Sequence, residues 1–183
     1  SLSQSFLNPK SVAIIGASAD SKKTSSRAQR FLVSHGYKGK IFPVNPNREE
    51  IFGLKCYPNL KSINEHIDHI FIAVDSNKII EAIKDAISKK VRCATILSGG
   101  FTESGSEGND LEKQVFKIAK KGDLRILGPN SIGLINISDN FILSANAMLE
   151  LQDLKKGSLG LISHSGSLIG ALLAHGHSRG IGF

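Results

Sequence analysis

Short runs rich in β-branched apolar residues recur along this chain. Each closes on a small or polar residue, and an amphipathic stretch separates one run from the next. Val12-Ala13-Ile14-Ile15 is wholly apolar and ends at Gly16, the pattern of a strand covered on both faces. Ser25 to Gly36 follows, with Ala28, Phe31, Leu32 and His35 at helical spacing and a glycine stop. Ile41 to Asn45 is a second strand, and its Pro43 suits an edge or a strand end.

His69 to Val74 is a third strand. Asn77 to Lys90 then places Ile79, Ile80, Ile83, Ala86 and Ile87 on one helical stripe. Cys93 to Leu97 is a fourth strand ending in Ser98-Gly99-Gly100. A polar loop, Thr102 to Asp110, leads into a helix reaching about Lys121, and Leu124 to Leu127 is a fifth strand ending in Gly128-Pro129-Asn130. Strands alternating with helices at this spacing predict an α/β fold with a doubly wound, Rossmann-like parallel sheet. Ligands of such sheets bind beyond the carboxyl ends of the strands. Here those ends are Gly16, Asn45, Asp75, Ser98 and Gly128.

After Asn136 the pattern loosens. Phe141 to Met148 reads as an extended or hairpin segment, and Leu151 to Gly157 as a linker. Leu159-Gly160-Leu161-Ile162 predicts one more strand, followed by Ser163-His164-Ser165-Gly166 and a helix from Ser167 to about His177. One strand and one helix cannot close a core. The expected organisation is therefore a first domain over 1–150 and the start of a second, flavodoxin-like α/β domain over 151–183.

Composition narrows the partners. The 183 residues carry a net charge of +7, which attracts polyphosphates, yet Lys and Arg are spread along the chain without the basic, aromatic-interleaved footprint of nucleic-acid binders. No nucleic-acid partner is expected. No apolar run approaches the roughly 20 residues of a membrane span, and the start, Ser1-Leu2-Ser3-Gln4, lacks the features of a secretion signal. The missing initiator Met points to a processed or trimmed start. The two cysteines, Cys56 and Cys93, have no metal-type spacing. Cys93 sits in an apolar run that favours a buried thiol, and the low cysteine count predicts a cytoplasmic location with no metal site.

The first motif is Gly16-Ala17-Ser18, between a strand and a helix. Gly16 permits a tight turn, Ser18 can donate to a phosphate, and the helix N-terminus adds oriented N–H groups. Thr24, Ser25 and Ser26 are candidate caps of that helix. The full G-x-G-x-x-G fingerprint is absent, because Ser18 and Ser21 stand at its second and third glycines. At the end of the second strand, where an NAD site carries Asp or Glu, stands Asn45-Pro46-Asn47-Arg48. A cation there suits a ligand phosphorylated on its ribose, either NADP or coenzyme A, although Arg48 also reads as plain surface charge.

Taken in order, four segments carry a resemblance: Ser11 to Ser18, Gly39 to Pro46, Ser98-Gly99-Gly100-Phe101, and Gly128 to Gly133. Together they resemble the CoA-binding domain of NDP-forming acyl-CoA synthetases, relatives of the succinyl-CoA synthetase α subunit. Ser163 to Leu168, through Gly180-Ile181-Gly182-Phe183, is similar to the opening of that family's second domain. Asp75 and Ser131 depart from it, standing where Pro and Cys are common.

The resemblance implies that coenzyme A lies across the strand ends. Gly16, Ala17 and Ser18 would meet phosphate, Asn45, Pro46 and Arg48 the ribose-phosphate region, and Ala73, Val74, Ser98, Gly99 and Gly100 the adenine and pantetheine path. It also implies a phosphate or phosphohistidine pocket from Gly128, Pro129, Asn130, Ser163, Ser165 and Gly166, since helix starts stabilise such groups. Ser163-His164-Ser165-Gly166 occupies the position of a phosphate loop, so the relay histidine is expected beyond Phe183 and no catalytic residue within the chain. The implied reaction is acid + CoA + NTP ⇌ acyl-CoA + NDP + phosphate, with a carboxylic acid or acyl phosphate as co-substrate and an ATP-grasp part elsewhere. This stretch alone would bind CoA without turnover. A non-catalytic CoA-binding regulatory module, as in some protein acetyltransferases, and an NADP-dependent oxidoreductase are the alternatives.

Overall fold

Val12, Ala13 and Ile14 are fully buried, with alternate residues facing opposite sides of one sheet. The computed structural model describes residues 1–151 and 153–183. Helix α1 (Leu2–Leu7) is followed by β1 (Ser11–Ile15), α2 (Thr24–Ser34) and β2 (Lys40–Val44). A short hairpin, β3 (Glu50–Ile51) and β4 (Leu54–Lys55), precedes β5 (His69–Ile72), α3 (Ile79–Ser88) and β6 (Cys93–Ile96). Then come α4 (Ser106–Lys121), β7 (Arg125–Leu127), the antiparallel pair β8 (Gly133–Asn136) and β9 (Phe141–Ser144), and α5 (Gly166–Ser178).

Five strands pair in parallel in the order β2-β1-β5-β6-β7. Val12, Ile14 and Phe71 pack on one face against Ala28 and Leu32 of α2 and Phe141 and Leu143 of β9. Ala13, Ile70, Ile72, Ala94 and Ile96 pack on the other against Ile79 and Ile83 of α3 and Val115 and Ala119 of α4. This is the doubly wound sheet expected from the apolar runs, and each large buried side chain contributes about 1.5–3 kcal/mol. From β1 the chain goes to one side to make β2 and then crosses to the other to make β5. The switch in direction opens a crevice at the carboxyl end of β1.

On the α2 face, His69 is fully buried. Its Nδ1 lies 3.0 Å from the Ser5 carbonyl, which can only accept, so Nδ1 carries the proton. Nε2 then accepts from the Thr95 hydroxyl at 2.8 Å. Phe6 stands edge-on to the ring at 5.3 Å, so this histidine docks α1 onto the sheet. Burial pushes its pKa down to about 4 and that of the Cys93 thiol up to about 11.

Three expectations are corrected. Leu159 to Ile162 forms no strand. Among the described residues nothing pairs with it, and Leu159 and Ile162 are 55% and 100% exposed. An apolar run without a hydrogen-bonding neighbour has nothing to make it a strand. Residues 106–110, expected in a loop, form the first turns of α4, whose polar start faces solvent. Finally, Thr24, Ser25 and Ser26 do not cap α2. Its N-cap is Lys23, without a side-chain bond, and the Ser26 hydroxyl instead donates to the Lys23 carbonyl at 2.8 Å. The last helix matches its expected span and packs Ile169 and Leu173 toward Phe31, Ile142 and Leu149.

Candidate functional site

Gly16 has φ +84°, and a Cβ built on it would lie 2.5 Å from the Ala73 oxygen and 2.9 Å from Val74 Cγ1. Only glycine allows this left-handed backbone at such close approach. The loops after β1 and β5 therefore meet at the switch point. On one side of this seam lies a cleft of about 290 Å³, walled by Gly16, Asn45, Pro46, Asn47, Asn59, Val74 and Lys78 among others. On the other lies a more open one of about 530 Å³, bordered by Thr24, Ser25, Ala73, Val74, Ser98 and Gly99. The uncapped N-terminus of α2 opens onto it, a setting in which helix N–H groups and dipole favour an anion.

Hydrogen bonds tie the rim together. Asn45 Nδ2 donates to the Ala17 carbonyl at 2.8 Å, while its Oδ1 accepts from the Asn47 amide at 2.9 Å. Asn45 thus shapes the cleft by holding two loops. The Ser98 hydroxyl donates to the Val74 carbonyl, and the Ser98 carbonyl accepts from the Asn130 amide at 3.1 Å. Glu103 Oε1 accepts from the Gly100 amide at 2.7 Å. Hydrogen bonds from its own amide, from Gly100 and from Phe101 hold the Glu103 carboxyl below the usual carboxylate range.

Of the residues singled out in the sequence, Gly16, Asn45, Pro46, Ala73, Val74, Ser98 and Gly99 border these two clefts. Gly100 stands beside Ser76 at their edge. The Ala17 side chain points into the core, leaving only its backbone at the turn. The Ser18 hydroxyl accepts from the Asp20 amide at 3.1 Å, shaping the same loop. Arg48 lies round the corner, in a neighbouring depression that shares Pro46, Asn47 and Pro58 with the first cleft.

The phosphate set falls into two groups. Gly128, Pro129 and Asn130 adjoin the Ser98-Gly99 turn, where a Cβ on Gly128 would lie 2.8 Å from the Ile96 carbonyl oxygen. Ser163, Ser165 and Gly166 stand at the start of α5, with Ser165 as its N-cap and Gly166 close against Ile132. Ser131 and Ile132 run between the groups and share a cavity of about 510 Å³ with Ser163.

Two residues went unread in the sequence. Lys78 is the cation of the first cleft, and Glu103 clamps the Gly99-Gly100 turn. Both lie in single turns of 3₁₀ helix just past the strand-end loops. Extending the strand-end rule into the next turn would have found them.

A family model described as CoA binding domain matches residues 10–137, including every loop of the crevice. This chain belongs to the CoA-binding domain family. Coenzyme A is the ligand of that domain. The acetate–CoA ligase [ADP-forming] II of Archaeoglobus fulgidus is 39% identical over 166 residues, covering 90% of this chain and 24% of the relative. The Pyrococcus furiosus acetate–CoA ligase [ADP-forming] II subunit alpha is 35% identical over 178 residues, covering 97% of this chain and 38% of that subunit.

Among solved structures, the dinucleotide-forming acetyl-coenzyme A synthetase 1 of Ca. Korarchaeum cryptofilum, in its apo form, superposes with a TM-score of 0.91 at 34% identity. The match covers 100% of this CoA-binding chain and 38% of the synthetase. The chain thus spans about a quarter to two-fifths of the length of these relatives. Among the described residues no helix is long and apolar enough to cross a membrane.

Proposed function

We propose that this chain is the coenzyme A-binding portion of an NDP-forming acid–CoA ligase. The complete protein would interconvert acid + CoA + NTP with acyl-CoA + NDP + phosphate. The single observation that carries the reading is the crevice at the switch point, in a chain whose relatives are named acetate–CoA ligases.

In this reading the diphosphate lies near Gly16, Ala17 and Ser18 and the uncapped start of α2. The adenosine end enters the cleft between Asn45-Pro46 and Val74, with Arg48 toward the ribose phosphate. The pantetheine arm runs past Ala73, Ser98, Gly99 and Gly100 toward Gly128, Pro129 and Asn130. There, the thiol would meet an acyl phosphate, form the thioester and release phosphate. Ser163, Ser165 and Gly166 would help hold the phosphoryl group that a histidine outside residues 1–183 carries from the nucleotide to the acid, and back again in the reverse reaction. Residues 151–183 are then the linker and opening of the second domain. The nucleotide-binding ATP-grasp part belongs to another segment or subunit, in keeping with the subunit naming of the Pyrococcus relative. A cytoplasmic location suits such an enzyme.

Titration calorimetry with CoA, dephospho-CoA and NADP tests the reading. It predicts heat with CoA, weaker binding of dephospho-CoA and none of NADP. Tight NADP binding without CoA binding would sink it, and equal affinity for CoA and dephospho-CoA would remove the role of Arg48.

A further inference from the structure

We propose that Glu103 is a positioning residue of the crevice, whose carboxylate holds the Ser98–Phe101 turn in the shape that receives the pantetheine arm. The inference rests on the reading of the crevice as a coenzyme A site.

Ser98-Gly99-Gly100 has almost no side chain with which to fix itself, and glycine loses the most backbone freedom on ordering. Gly100 has φ +93°, and its amide is bound by Glu103 Oε1 at 2.7 Å. The same oxygen lies 2.9 Å from where a Cβ on Gly99 would stand, so the carboxylate fills the space that a side chain would take. Glu103 is itself held in place. Its neighbour Thr102 donates through Oγ1 to Glu112 Oε2 on α4 at 2.6 Å, and Phe101 is fully buried in the core. From the other side, Ser98 ties the turn to Val74 and Asn130. The turn is therefore pinned between the β5 loop, the loop before β8 and α4, with Glu103 as the pin on its glycines.

The charge also orders the ligand. An exposed carboxylate beside Gly99 repels phosphate, whereas the α2 N-terminus attracts it. The neutral pantetheine arm is the part of coenzyme A that fits against this turn.

Calorimetry on Glu103→Ala and Glu103→Gln with CoA and with adenosine 3′,5′-bisphosphate, which lacks the pantetheine arm, separates the possibilities. Losing hydrogen bonds to a charged group should weaken CoA binding by at least about tenfold in Glu103→Ala. Glu103→Gln, which keeps an acceptor oxygen, should fall between it and the parent. The bisphosphate should bind all three equally, which also reports that each variant is folded. Should Glu103→Ala not fold, Glu103→Gln must by itself weaken CoA and spare the bisphosphate. Unchanged CoA affinity, or equal loss for both ligands, overturns the proposal. A parent chain that binds neither ligand would instead overturn the coenzyme A reading.

Discussion

The Ala73 carbonyl oxygen occupies the space into which a side chain on Gly16 would project, 2.5 Å from an ideal Cβ. The two loops that flank the switch point therefore meet at the backbone of Gly16 and Ala73, with Val74 Cγ1 packed beside them. Gly16→Ala must enter a left-handed conformation costing about 1–2 kcal/mol and displace the β5 loop, a further cost of about 1–3 kcal/mol. Urea unfolding should show a loss in that combined range, and calorimetry a loss of CoA binding. Unaltered stability would mean that the two loops are not packed as described.

The buried His69 predicts an acid-sensitive fold. Its ring is held neutral in the folded state, with a pKa of about 4 against roughly 6.5 in an unfolded chain. Above the unfolded value both states are neutral and the contribution is flat. As pH falls from about 6.5 to 4 the unfolded chain gains a proton that the folded one refuses, and stability drops by up to roughly 3 kcal/mol. Urea midpoints across that range, compared with His69→Gln, should show this slope in the parent only. An identical pH dependence in both would contradict it.

Ser165 accepts from the Leu168 amide at 3.2 Å as the N-cap of α5. Ser165→Ala should therefore cost about 1 kcal/mol. Hydrogen exchange should locate the loss in the first turn of that helix. Exchange unchanged at residues 166–169 would show that the cap contributes nothing.

The sheet was legible because its strands are buried on both faces, so Val12 to Ile15 is apolar throughout and Cys93 to Ile96 is apolar but for Thr95. Leu159 to Ile162 has the same apolar character and is no strand, since pairing depends on a neighbour that a local pattern does not reveal. Helix α1 went unread for a related reason. It has six residues and depends on Phe6 and Ser5 meeting His69, more than sixty positions away.

At the site, glycines at strand ends marked the loops. What they did not reveal is that Asn45 binds the Ala17 carbonyl, or that Glu103 folds back onto Gly100. Side chains that shape a loop look the same in sequence as side chains that meet a ligand.

The central claim is that coenzyme A occupies the crevice where the β1 and β5 loops meet. Amide chemical-shift mapping during a CoA titration tests it most directly. The account predicts saturable shifts at Gly16, Ala17, Val74, Gly99 and Gly100, with Leu134 and Leu143 of the β8–β9 pair unmoved. Saturable binding with the shifts confined to the β8–β9 pair and α5, leaving Gly16 and Val74 unmoved, would contradict it.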